Sequence, residues 1–310
     1  MFINRVISTI LSAATVAIVL LATTPTFAGW QEKYPTINFG VLTLENQVTT
    51  VDRYKIYVDY AEKKLGVKIK IFQASDYAGV GQALIGGHLQ MARIGGAGYA
   101  SAWLDCKGCI EPIVTTQGLD GTTGYFSILT VRADSSYKSL KDLKGKSIAF
   151  ADPNSTSGYI VPMVTLVNAG IDPNVYFGKT SFSGGHEQSV LALLRGTYDA
   201  VYTWTAENDS FGNLRMMMDK GLLKRNQVRV IDKSDPIRNP LLAVQKKLPE
   251  QMKKDIAQMY FDMATENKAV LRAAAQGDVR GYVPVTHKDY ATQVEARKFL
   301  RAARKKKKGN

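Results

Sequence analysis

Three consecutive hydroxyl residues, Ser155, Thr156 and Ser157, sit near the end of the string Ala149-Phe150-Ala151-Asp152-Pro153-Asn154-Ser155-Thr156-Ser157-Gly158. The pattern reads as a strand that ends in a polar turn and runs straight into a helix. Hydroxyls and free amides at a helix N-terminus converge on one point, where the helix dipole also favours negative charge. The chemistry on offer is an uncharged cage for a tetrahedral oxyanion, because such an ion is mostly an acceptor. Ser and Thr are also preferred N-cap residues. Taken by itself, the segment therefore supports anion binding and plain capping equally. Pro162 lies at the limit for a first-turn proline and is expected to kink the helix start.

A second helix start follows at Ser183-Gly184-Gly185-His186-Glu187. There His186 can donate a hydrogen bond or a positive charge to the same anion, or act as a surface cap. Asp199, Glu207 and Asp235 lie near strand ends, and Asp235 precedes Pro236 in an extended or turn conformation. Each carboxylate alone reads as solvated, and Tyr77 and Tyr125 alone read as packing residues with a wet hydroxyl. Catalysis finds little support: there is no G-x-S-x-G elbow, Walker loop or H-E-x-x-H string. The only cysteines form Cys106-Lys107-Gly108-Cys109 at a helix-to-strand connection. In an oxidising compartment this reads as a loop-closing disulfide, with a thiol oxidoreductase as the competing reading. Three histidines and no second C-x-x-C argue against zinc, and no metal or cofactor is expected.

The elements that must position these residues alternate. Strand patterns occur at 37–42, 67–72, 91–94, 113–117, 126–131, 147–151, 200–202 and 228–231. Helical patterns occur at 51–64, 77–86, 97–104, 158–169, 188–195 and 250–275. That order implies an α/β protein with mainly parallel sheets. The chain is expected to cross between two α/β lobes near residues 122–125 and again near 232–240. Lobe 1 would then comprise 29–124 and 235–300, and lobe 2 would be the insertion 125–234. Residues 1–28 have the charged start, apolar run and small-residue end of a signal peptide cleaved after Ala28, which places the product outside the cytoplasm. The net charge is +13 over 310 residues. Arg301, Arg304 and Lys305–Lys308 concentrate much of the excess at the end, so 301–310 is expected as a solvated basic tail. Export argues against nucleic acid as a partner.

These strings together resemble the periplasmic phosphonate-, phosphite- and phosphate-binding proteins of ABC transporters. The resemblance rests on Asn38-Phe39-Gly40, Ala74-Ser75-Asp76-Tyr77-Ala78-Gly79, Gly124-Tyr125 and Asp152–Tyr159 followed by Val161-Pro162. Gly185-His186-Glu187 and Ser234-Asp235-Pro236 complete it, all in the family's order. It implies a type II periplasmic-binding fold, two α/β lobes closing by a hinge on a ligand in the cleft between them. It also implies delivery of the ligand to an inner-membrane permease, and a monomer or weak dimer. By position, Ser155, Thr156, Ser157 and His186 are implied to hold the phosphonate oxygens. Tyr77, Tyr125, Glu207 and Asp235 are implied at the opposite end, which receives the ammonium of 2-aminoethylphosphonate through charge and cation–π contact. The segment Thr203–Glu207 departs from the family's asparagine-rich string, and Arg93-Ile94-Gly95-Gly96 lacks the aromatic residues common there. Phosphite, phosphate or a sulfonate remain alternative ligands for the same fold.

Overall fold

A computed structural model describes residues 29–42, 47–74, 76–207 and 211–308. The expected signal peptide, 1–28, lies outside the described residues. The strands are β1 (Thr36–Leu42), β2 (Lys68–Ala74), β3 (Met91–Ile94), β4 (Ile110–Gln117), β5 (Gly124–Arg132) and β6 (Ser147–Phe150). They continue as β7 (Lys179–Phe182), β8 (Ala200–Thr205), β9 (Val228–Lys233), β10 (Ile237–Arg238), β11 (Leu241–Gln245) and β12 (Gly281–Pro284). They form two sheets. The first has the order β12-β4-β11-β3-β1-β2, and the second β10-β5-β8-β6-β7 with β9 also on β5.

The first sheet draws on chain before residue 118 and after residue 240, and the second on the stretch between. The two crossover strands run side by side, Tyr125 opposite Ile237 and Gly124 opposite Arg238. Asn239 N donates to the Thr123 carbonyl at 2.9 Å, and Asn239 Nδ2 donates to the Thr116 carbonyl at 3.0 Å. The chain thus changes sheet twice at one paired ribbon.

Parallel pairing is confined to β1–β2, β1–β3, β6–β7 and β6–β8; the other pairings are antiparallel. The expectation of mainly parallel sheets is corrected here. Parallel neighbours need a helical crossover, and that holds for strands joined by helices within one lobe. Strand β11 instead returns from the second sheet and inserts between β3 and β4, antiparallel to both. Its five residues are all buried, as in a strand covered on both faces.

Aromatic rings fill the first core: Tyr54, Tyr57 and Phe39 meet at 5.3–5.9 Å between centroids. Tyr57 and Tyr260 share a buried hydroxyl contact of 2.9 Å. In the second lobe Phe150 stacks on Tyr202. The long helical region expected over 250–275 is two helices, Glu250–Glu266 and Lys268–Ala275, because Asn267 caps the second through Ala269 N and Val270 N.

The last helix, Ala291–Lys308, runs through positions expected as a solvated tail. Arg301 explains part of this, pairing with Asp105 at 2.9 Å. Leu300 packs into the second-lobe core with Ile148 and Phe150, while Arg297 Nε donates to Ser101 of the first lobe. This helix therefore touches both lobes.

Candidate ligand-binding site

Strand β6 delivers the hydroxyl turn to the rim of the second sheet. Asp152 is buried, and its Oδ1 accepts from Asn154 N at 2.6 Å, which bends the chain back. The helix then opens with a π-turn, Thr156–Ile160, before the α-helix Val161–Asn168. The single helix expected over 158–169 is thus two pieces, and Pro162 falls in the first turn of the second, where its missing N–H is harmless. π-turns recur at functional sites because they place helix-opening groups off the regular spiral.

Ser155, Thr156 and Ser157 are almost fully buried. Ser155 Oγ accepts from Gly158 N at 3.0 Å. Thr156 Oγ1 accepts from Ala97 N at 2.9 Å, and Ala97 lies in the first turn of helix Gly96–Asp105 in the other lobe. With a backbone amide already filling an acceptor position on each of these oxygens, the hydroxyl protons can be directed to a ligand. The amides of Thr156 and Ser157 open the helix, where no intrahelical acceptor exists.

His186 begins helix His186–Leu194 after the extended Gly185 and the left-handed Gly184 (φ 91°). Its ring lies over the turn: Nε2 is 3.1 Å from Ser155 Oγ and Nδ1 is 3.3 Å from Thr203 Oγ1. Burial alone pushes its pKa down to about 3, so the imidazole is neutral at physiological pH. Of the two roles expected for it, hydrogen bonding is present and a standing positive charge is not. Gly158 makes this closeness possible. A Cβ there would lie 2.5 Å from Ala151 Cβ, 2.8 Å from Ser155 Oγ and 2.9 Å from His186 Cε1.

A cavity of about 320 Å³ opens between the lobes. Of the residues expected at the site, Ser155, Thr156, Ser157, His186, Tyr77, Tyr125 and Glu207 line it. Burial raises the pKa of both phenols, Tyr77 and Tyr125, so each presents a neutral hydroxyl. Tyr125 also meets Trp204 edge-on at 6.0 Å, and Trp204 meets Phe211 at 5.2 Å, forming an aromatic wall.

Of the four residues expected at the amine end, Tyr77, Tyr125 and Glu207 line the cavity and Asp235 does not. Asp235 is exposed and stands outside the cavity lining, because it lies in the turn between β9 and β10. Glu207 lines the cavity but pairs with Lys233 at 3.1 Å, and Lys233 Nζ also lies 3.7 Å from the centre of the Phe126 ring. Asp199 lies elsewhere, accepting from Ser147 N and Oγ and from Tyr137.

Sequence reasoning missed three contributors. Arg93 lines the cavity from β3; a charge inside a short apolar strand was the available signal. Trp204 lines the opposite lobe's wall. Arg297 is buried behind the hydroxyl turn, donating to Pro153 O at 3.1 Å and to Asn154 Oδ1; nothing distinguished it within a basic helix. Cys106 and Cys109 are bonded to each other, with 5.5 Å between Cα atoms, outside the cavity lining.

Two α/β lobes joined by a paired crossover, with an anion-suited cavity between them, define a type II periplasmic-binding fold. Solved structures with this fold include PhnD1 from Prochlorococcus marinus in complex with methylphosphonate. It matches with a TM-score of 0.73 at 19% identity, over 86% of this chain and 98% of that one. The binding component of a phosphonate ABC transporter from Pseudomonas aeruginosa matches with a TM-score of 0.70 at 22% identity, over 89% and 98%. The phosphonates-binding periplasmic protein of Escherichia coli is 32% identical over 254 residues, 80% of this chain and 72% of that protein. The phosphate-import protein PhnD of Mycolicibacterium smegmatis is 30% identical over 275 residues, 84% of each. Residues 39–290 match the family model of the periplasmic substrate-binding protein of phosphonate ABC transporters. The chain belongs to that family, whose members are transport components rather than enzymes.

Proposed function

We propose that the cavity captures a phosphonate through Ser155, Thr156, Ser157 and His186 and that the closed form delivers it to a membrane permease, after export directed by residues 1–28. The observation that carries this reading is the convergence of three buried hydroxyls and a neutral imidazole on one cavity. Two of those hydroxyls have acceptor positions filled by Gly158 N and Ala97 N. Donors of this kind suit an acceptor-rich phosphoryl group. The aromatic wall at Trp204 and Phe211 supplies apolar surface for the carbon substituent, which sulfate and phosphate lack.

2-Aminoethylphosphonate is the finer reading that the family resemblance implies. Tyr77 and Tyr125 support it as ring faces for an ammonium. The pairing of Glu207 with Lys233 and the outlying position of Asp235 weigh against it. Titration calorimetry with methylphosphonate, ethylphosphonate, 2-aminoethylphosphonate, phosphite, phosphate and sulfate tests the proposal. A phosphonate is expected to bind most tightly; sulfate or phosphate binding as tightly would overturn it.

A further inference from the structure

Each carboxylate on the cavity wall already has a partner. Asp120 accepts from Thr122 N and Oγ1 at 2.9 and 2.8 Å, Glu207 pairs with Lys233 at 3.1 Å, and Asp278 pairs with Arg272 at 2.7 Å. Arg93 differs. Its guanidinium donates from Nη1 to Gln276 Oε1 at 3.0 Å and from Nη2 to Ala275 O at 3.2 Å, both neutral acceptors. Among the described residues, no carboxylate pairs with it. Five N–H donors sit on a guanidinium in a fixed fork, so this two-point anchor holds the group rigid and leaves donors for the cavity it lines.

Part of this arrangement has a structural explanation. Ala275 ends helix Lys268–Ala275, and cations are favoured at helix C-termini. That accounts for the anchor but not for the location. Arg93 is half-buried on a central strand, on the cavity wall, where a charge without a countercharge is disfavoured. A surface cation would cap the same carbonyl without that cost.

We infer that Arg93 receives a second anionic group on the ligand, so that the preferred class is a phosphonate carrying a carboxylate. This inference rests on the phosphonate reading of the Ser155–Ser157 end. Arg93, Tyr77, Tyr125 and the hydroxyl turn line one cavity of about 320 Å³, and Gly95, two residues beyond Arg93, comes so near the turn that a Cβ on it would lie 3.1 Å from Thr156 Oγ1. Within a cavity of that size, a spacer of a few bonds joins the phosphonate to the carboxylate. The planar carboxylate matches the guanidinium fork, which a point cation would not.

Titration calorimetry of the purified protein tests this with 3-phosphonopropionate, its neutral amide 3-phosphonopropionamide, 2-aminoethylphosphonate and ethylphosphonate. The carboxylate ligand is expected to bind at least about tenfold more tightly than the amide and the amine, the size of one charge-assisted contact. Arg93→Gln is expected to cost 3-phosphonopropionate at least about tenfold more than it costs ethylphosphonate, and Arg93→Lys to restore only part of the difference. Equal or tighter binding of the amide or the amine overturns the inference, as does an equal loss for both ligands in Arg93→Gln. If the variants do not fold, the wild-type ranking alone decides. If ethylphosphonate binds without any carboxylate preference, only the role of Arg93 falls. If no phosphonate binds, the phosphonate reading falls with it.

Discussion

His186 makes the unliganded protein lose stability in mild acid, and the size of the loss follows from its burial. The imidazole is 7% exposed, and burial holds its pKa at about 3, against about 6.5 in an unfolded chain. Between those values the unfolded state binds one proton that the folded state does not. The folded pKa is depressed, so the contribution is fully present above pH 6.5 and is lost as pH falls toward 3. The slope is about 1.4 kcal/mol per pH unit, so acidification from pH 8 to pH 5 removes about 2 kcal/mol. For a chain of this size that is a fall of about 4–8 °C in the melting temperature. Asp152 works in the opposite sense, because burial raises its pKa. The comparison that isolates His186 is therefore wild type against His186→Asn, both unliganded, melted at pH 8, 7, 6 and 5. The wild type should lose about 2 kcal/mol more than the variant across that range. A phosphonate dianion against Nε2 favours the protonated ring, so saturating ligand should shrink the wild-type slope. Parallel slopes in the two unliganded proteins would refute a buried neutral imidazole.

Two other substitutions separate site from scaffold. Gly158→Ala puts a methyl group 2.5 Å from Ala151 Cβ and 2.9 Å from His186 Cε1, so the turn or the imidazole must move. We expect a stability loss of about 1–3 kcal/mol and more than tenfold weaker ligand binding, and wild-type affinity in calorimetry would contradict the tight packing of His186 on the turn. Replacing Cys106 and Cys109 together by Ser removes a crosslink with a sequence separation of 3, worth about 2 kcal/mol by the loop-entropy relation. Melting should register that loss while ligand affinity stays within about twofold, since neither residue lines the cavity; a large affinity loss would tie the disulfide to binding.

That Ser155, Thr156 and Ser157 share one cavity wall was legible because the motif is local. Ser155, Thr156 and Ser157 sit in consecutive positions, and one strand-to-helix turn carries all three into the cavity. The opposite end was read less well because its residues meet only through tertiary structure. Glu207 and Asp235 are equally acidic in the sequence, yet Lys233 reaches one of them and the β9–β10 turn carries the other away from the cavity. Arg93 stood out only as a departure from the family's string, because Met91–Ile94 reads as an ordinary buried strand. Its anchors, Ala275 and Gln276, are more than 180 residues away, and Gln276 holds a left-handed φ of 64° that no local pattern announces. Strand β11 was missed for a related reason. Leu241–Gln245 is short and follows Pro240, and only its return from the second lobe makes it a central strand.

In the proposed function, ligand capture and lobe closure would share one hydrogen bond. Thr156 belongs to the second lobe, but its hydroxyl oxygen accepts from Ala97 N of the first. Arg297 reinforces the same corner, donating to Ser101 of helix Gly96–Asp105 and to Pro153 and Asn154 of the turn. With Ala97 N as donor, the Thr156 proton is left for the proposed ligand, and this contact exists only where the lobes meet. An anion bound by that proton has higher affinity for the closed arrangement than for any open one, which is the condition for a ligand to shift the equilibrium between them. A ligand that also reaches Arg93 on the first lobe adds a second bond across the cleft. Its gain in affinity and its bias toward closure are then the same free energy.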